Sequence, residues 1–256
     1  MEKILFVTDT DNINSKSLDF AAFLCELSHS KLTGVFLKHE PTYATADVSY
    51  EDNSLRFTAS CERRGIKSAI HRDCGIPHDE IIAESRYADL LLIDVATTSS
   101  TDQREDIPTD FVRDILVDAE CPVVIMPVAF DGIEQLVFTF DGQPSSVYAI
   151  KQFTYLFPEL KDQQVVVISI NEEEIMPDQE ERYKLKEWLH MHYKNIDFLR
   201  ARGNVKAGLV ELLLSRSRAF IVMGAYGRSA FSNLFNPSHA NSILKMVSQP
   251  VFIAHH

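Results

Sequence analysis

The sequence predicts an α/β protein made of two tandem, doubly wound, Rossmann-like domains, each with a mainly parallel five-stranded sheet. Three observations lead there. Short apolar runs alternate with amphipathic stretches along all 256 residues, the mark of strands buried on both faces between helices. Turn residues separate the runs. The order of elements then repeats at a spacing near 130 residues, a period that means two domains and not a solenoid.

In the first half, residues 3 to 8 (KILFVT) form an apolar run ending at Asp9, followed by a polar turn and an amphipathic stretch through Leu18, Ala21, Ala22, Leu24 and Cys25. This reads as strand, loop, helix. A second run at Leu32 to Leu37, a helix over 51 to 64 and a strand Ile66 to His71 follow. Pro77 opens a helix carrying Ile81, Ile82 and Tyr87. Leu90 to Ile93 and Val123 to Met126 read as buried strands around a helix over 108 to 119.

The second half repeats the pattern. Its predicted strands are Leu136 to Phe140, Val165 to Ile170, Ile196 to Leu199, Phe220 to Met223 and Val251 to Ala254, with helices near 145–157, 178–192, 205–216 and 238–247. Asp9 aligns with Asp141, Asp94 with Gly224, and Cys121-Pro122-Val123 with Gln249-Pro250-Val251, at offsets of 132, 130 and 128 residues. The domains are therefore 1–130 and 131–256, joined near Ala129 to Glu134.

Composition narrows the function. Hydrophobic residues make up 45% of the chain, enough for full cores. No uninterrupted apolar run reaches the roughly 20 residues of a membrane helix, and Ile4 to Val7 is too short for a signal peptide; the expected location is the cytoplasm. The formal charge is −12, and its acidity is concentrated in the first 130 residues, with 12 Lys+Arg against 23 Asp+Glu. That surface disfavours nucleic acid and anionic bilayers as partners. Cys25, Cys61, Cys74 and Cys121 include no C-x-x-C pair, so reduced structural thiols are expected rather than zinc or a disulfide framework.

In this fold ligands bind beyond the carboxyl ends of the strands. The segment Gly224-Ala-Tyr-Gly227-Arg228-Ser229 directly follows a buried strand and leads to Asn236-Pro237-Ser238-His239 at a helix start. Glycines let the backbone approach an anion and take positive φ, and the free N–H groups of the helix start can then point at phosphate. Asn236 suits the N-cap and Pro237 the first helical position, with Ala240, Ile243, Leu244 and Val247 facing inward. A tight turn without ligand is the alternative for two glycines alone.

The spacing G-x2-G-x9-P-S resembles the G-x2-G-x9-G-[ST] signature of the ATP-binding branch of the universal stress protein family, an adenine nucleotide alpha hydrolase-like fold. The resemblance covers both halves. It implies that Asp141 contacts the adenosine, that Ile170 and Met223 line the base, and that Gly224, Gly227, Arg228, Ser229, Ser238 and His239 make the phosphate side. It also implies a stress-response role in which ATP or a related adenine nucleotide, with Mg accompanying it, modulates interaction with protein partners. Family dimers form through the last strand, so the two copies are expected to make an intrachain pseudo-dimer, with homodimerisation open. One departure is Pro237 in place of the third glycine, which removes an N–H donor.

The first half departs further. Asp94 replaces the glycine, and Val95 to Asp110 contains no glycine but has Asp102, Glu105, Asp106 and Asp110 against Arg104; no phosphate loop is expected there. Asp9 is read as a capping or turn residue. His190 and His192 are read as surface histidines rather than metal ligands, Glu172 to Glu181 as a solvated loop and helix start, and Trp188 and Tyr193 as core. His71 and His78 lack further ligands, and the Phe231, Leu234 and Phe235 cluster either meets a partner or closes the site. Motifs for nucleophilic, P-loop or zinc-protease chemistry are absent. The expected activity is therefore binding, not turnover; the alternatives are a scaffold or sensor without nucleotide, and a slow ATP hydrolase using Arg228 or His239.

Overall fold

In the computed structural model the described residues are 1–9, 15–37, 46–71, 75–98, 108–169, 179–200, 216–224 and 248–254. The chain divides into two compact units, Met1–Phe130 and Asp131–His256.

The first unit contains β1 (Lys3–Asp9), α1 (Ser15–Ser28), β2 (Lys31–Leu37), α2 (Ala46–Arg63), β3 (Ser68–His71), α3 (Pro77–Ser85), β4 (Leu90–Ile93), α4 (Asp110–Asp118) and β5 (Val123–Ile125). Its strands run parallel in the order β3-β2-β1-β4-β5, with Val7 beside Val35 on one side and Ile93 on the other. β4 and β5 are buried at every residue, which is why they lack polar alternation.

Local chemistry sets the helix ends. Pro77 occupies the first turn of α3, with Asp79 and Glu80 there to complement the helix dipole. Thr109 caps α4 by accepting a hydrogen bond from the Val112 N–H at 3.2 Å. Gly65, at φ +70°, closes α2: the Ile66 N–H donates to the Cys61 carbonyl and the Gly65 N–H to that of Glu62, both at 3.0 Å. This closure takes Ile66 out of β3, so that strand begins two residues later than its apolar pattern predicts. A second correction concerns Tyr87. α3 ends at Ser85, so Tyr87 lies beyond the helix expected to carry it, 78% exposed.

The second unit contains β6 (Gln135–Phe140), α5 (Pro144–Leu156), a 3-10 turn (Pro158–Asp162), β7 (Gln164–Ser169), α6 (Gln179–His190), β8 (Asn195–Arg200), β9 (Ala219–Gly224) and β10 (Val251–Ala254). Its parallel strand order is β8-β7-β6-β9-β10. The predicted helices at 205–216 and 238–247 lie essentially outside the described residues. The core is aromatic: Phe153 of α5 meets Phe138, Phe157, Phe220 and Phe252 with ring centroids 4.9 to 5.8 Å apart. All five are fully buried, each contributing about 2–3 kcal/mol of hydrophobic transfer.

The duplication reaches individual hydrogen bonds. The Leu91 N–H donates to the Pro122 carbonyl at 3.0 Å in the first unit, and the Ile221 N–H donates to that of Pro250 at 3.0 Å in the second.

Candidate functional site

In both units the order of strands reverses beside the first strand, between β1 and β4 and between β6 and β9. In folds with this strand order the carboxyl ends of such a pair flank the crevice where ligands bind.

In the second unit that crevice begins with Asp141, directly after β6. Its Oδ1 accepts the Gln143 N–H at 2.9 Å, while Gly142 takes φ +84° to turn the chain. α5 starts immediately afterwards, with Pro144 in its first turn and no side chain capping it. Ser146 is turned inward, its hydroxyl donating to the Gln143 carbonyl at 2.8 Å. Gly224 ends β9 against this first turn. A Cβ there would lie 2.6 Å from the Ser145 carbonyl carbon and 2.7 Å from both the Ser145 oxygen and the Ser146 nitrogen. Gly224 is therefore required by close backbone approach and not by positive φ, which it does not have.

Three strands present one row to α5. Phe138 contacts Phe153 of α5, so residues of even number on β6 face that helix. Phe138 is in register with Val167 and Val222, and Phe140 with Ser169. Two residues beyond Val222, Gly224 completes the row Gly224, Phe140, Ser169. The Ser169 hydroxyl is buried and has no hydrogen-bond partner among the described residues. Sequence reasoning missed this residue, along with Gly142 and Gln143; the detectable signal was a hydroxyl closing the apolar run Val165 to Ile168.

Asp141, Met223 and Gly224 are thus placed at the ends of β6 and β9, Met223 being buried. Ile170, Gly227, Arg228, Ser229, Ser238 and His239 lie outside the described residues, as do Asn236, Pro237 and the Phe231, Leu234 and Phe235 cluster.

The first unit fills the same place differently. Asp94 is half-buried, its Oδ1 accepting the Ala96 N–H at 2.9 Å. Burial pushes its carboxyl above the usual range, against the opposing pull of that amide. The buried Thr97 and Thr109 close a polar corner behind it: the Thr97 N–H donates to the Asp94 carbonyl, the Thr109 N–H to that of Val95, and the Thr109 hydroxyl to that of Thr97. With Thr109 also capping α4, this corner satisfies its polar groups internally.

Of the other candidates, Tyr193 is core, its hydroxyl 2.9 Å from that of Thr154. Trp188 instead is half-buried beside the half-buried His192, 4.2 Å away, and the exposed Tyr155. His71 sits between Glu80 and Glu84, and His78 between Asp79 and Asp118. Among the described residues no group of three or more His, Cys, Asp or Glu side chains is placed to hold a metal, and no helix is long and apolar enough to cross a membrane.

No family model matches this sequence, and no curated protein matches it. Solved structures do. A universal stress protein from Archaeoglobus fulgidus superposes with a TM-score of 0.68 over 98% of both chains, at 14% identity. The fold is that of a universal stress protein. A Pseudomonas aeruginosa protein of unknown function matches 100% of this chain and 92% of its own at TM-score 0.62 and 15% identity. A further Pseudomonas aeruginosa protein, provisionally named a universal stress protein, matches 100% and 93% at TM-score 0.62 and 14% identity. These superpositions run over both units.

Proposed function

We propose that this chain is a cytoplasmic stress-response protein that binds ATP or a related adenine nucleotide in its second unit and uses occupancy to modulate its interaction with other proteins. The observation that carries the reading is the strand-end row Gly224, Phe140, Ser169, where β9 ends against the first turn of α5. Backbone approaches backbone there, with no room for a side chain at the buried Gly224, and the same row holds a buried hydroxyl with no hydrogen-bond partner among the described residues. The unpaired hydroxyl suits a ligand with a hydrogen-bonding heterocycle. The fold of the universal stress proteins supports the same reading.

Asp141 is the adenosine-side residue in this reading, while Gly224, Gly227, Arg228, Ser229, Ser238 and His239 make the phosphate side with Mg accompanying the nucleotide. The first unit, whose polar corner is closed by Asp94, Thr97 and Thr109, does not take part. The chain is a binding module and not a turnover enzyme. Pro237 favours a second reading, a scaffold or sensor without nucleotide, because it withdraws one N–H from the helix start.

Calorimetric titration of ATP, ADP and AMP into nucleotide-stripped protein decides between them. Saturable binding near one site per chain, lost in Gly227→Glu, is the expected result. Silence at millimolar ligand would leave the scaffold.

A further inference from the structure

We infer that Ser169 is a specificity residue of the second unit, its hydroxyl reading the heterocycle edge of the bound nucleotide. This inference rests on the nucleotide reading and adds to it a residue and a role.

The hydroxyl is an exception among its neighbours. Ser146 bonds the Gln143 carbonyl at 2.8 Å, Thr154 bonds that of Ile150 at 2.8 Å, and Thr139 bonds that of Val222 at 3.2 Å. Ser169, 7% exposed, finds no hydrogen-bond partner among the described residues. Buried polar groups are almost always paired, because leaving one unpaired costs its full desolvation. Its burial also rules out bulk water as a standing partner. A small apolar residue would fill the position without that cost, and among the described residues of the second unit no other buried hydroxyl is left unpaired.

Position supplies the reason. Ser169 faces the α5 side of the sheet at the carboxyl end of β7, in register with Phe140, while Gly224 ends β9 on the same face. Two interstrand spacings, roughly 10 Å, separate them. A nucleoside monophosphate spans that interval between base and phosphate. With the phosphate side at Gly224, the base falls toward β7.

The first unit acts as an internal comparison. Carrying its register one residue past Val7 and Ile93 gives the row Asp94, Thr8, Phe36. Phe36, at the place of Ser169, is fully buried against Tyr50 and Phe57 at 5.9 and 5.6 Å. The unit with a carboxylate in place of Gly224 also has a packed ring in place of the hydroxyl. Both ends of the row change together, as expected if they serve one ligand.

The test uses the full chain as wild type, Ser169→Ala and Ser169→Thr, measuring thermal unfolding without ligand and calorimetric binding of ATP and of tripolyphosphate, which has no base. Ser169→Ala should unfold at the wild-type temperature or above it, since it removes an unpaired hydroxyl. Its ATP dissociation constant should rise about tenfold, the scale of one hydrogen bond, with tripolyphosphate binding unchanged and Ser169→Thr close to wild type. Unchanged ATP affinity in Ser169→Ala overturns the inference alone, as does an equal loss of tripolyphosphate binding. A lower unfolding temperature or failure of Ser169→Ala to fold would assign the hydroxyl to the interior and overturn the inference as well. If wild type binds no ATP, the nucleotide reading fails and this inference goes with it.

Discussion

A Cβ on Gly224 would stand 2.6 Å from the carbonyl carbon of Ser145, a separation that side chains do not tolerate. The obstructing atoms are backbone, in the first turn of α5, and cannot rotate away. Gly224→Ala must therefore shift α5 against β9, although alanine is otherwise well tolerated. Such overpacking costs about 1–3 kcal/mol. Urea unfolding should show that loss with an unchanged m-value; a variant as stable as wild type would mean that α5 and β9 are not locked together here.

Gln249 provides the second prediction. It is 5% exposed, its side-chain oxygen accepts the Ala219 N–H at 2.8 Å, and its amide nitrogen donates to the Arg216 carbonyl. One side chain thereby satisfies the start of β9. Gln249→Leu keeps the volume and strands the buried Ala219 N–H, at a cost of about 1–3 kcal/mol. Chemical denaturation measures it, and Gln249→Glu, which retains the acceptor but not the donor, should separate the two bonds.

The residues show where sequence reading reaches and where it stops. The succession of strands and helices along the chain and the alignment of Asp94 with Gly224 were legible because an apolar run buried on both faces leaves a linear pattern, and duplication prints it twice. Tyr87 was misassigned because apolar spacing continues past the point where α3 ends at Ser85. The reason for Gly224 was misread, since positive φ is a local property whereas its neighbour Ser145 lies 79 residues away. Asp94 was legible only as a carboxylate in the place of a glycine; that burial raises its pKa and that Thr97 and Thr109 build a polar corner behind it are tertiary facts. Ser169 was passed over because the lack of a partner is a tertiary fact.

Thiol chemistry gives a third prediction. Cys25, Cys61 and Cys121 are free and buried, and burial pushes their thiols up to about 12, 11 and 12. The thiolate is the nucleophile, so at pH 8 all three should remain unmodified by iodoacetamide in the folded protein and react fully in denaturant. Peptide mass spectrometry reads each site separately. Rapid native modification of Cys61 would show that α2 opens far more often than its packing implies.

Tyr193 couples a hydrogen bond to pH. Thr154 spends its only hydroxyl proton on the Ile150 carbonyl at 2.8 Å, so Tyr193 is the donor in the 2.9 Å bond between them. Tyr193→Phe should cost about 1 kcal/mol at pH 8 by leaving Thr154 without that donor. Burial raises the phenol from 10.0 to about 12, so the unfolded chain ionises first as pH rises. The folded state then binds more protons than the unfolded one, and stability falls with pH. This contribution is complete below pH 10 and is lost as pH climbs towards 12, with about 1.4 kcal/mol gone by pH 11. The phenylalanine variant has no such loss. Urea unfolding at pH 8 and pH 11 should therefore find wild type ahead at the first and level with or behind Tyr193→Phe at the second; a constant gap would mean that the phenol ionises equally in both states.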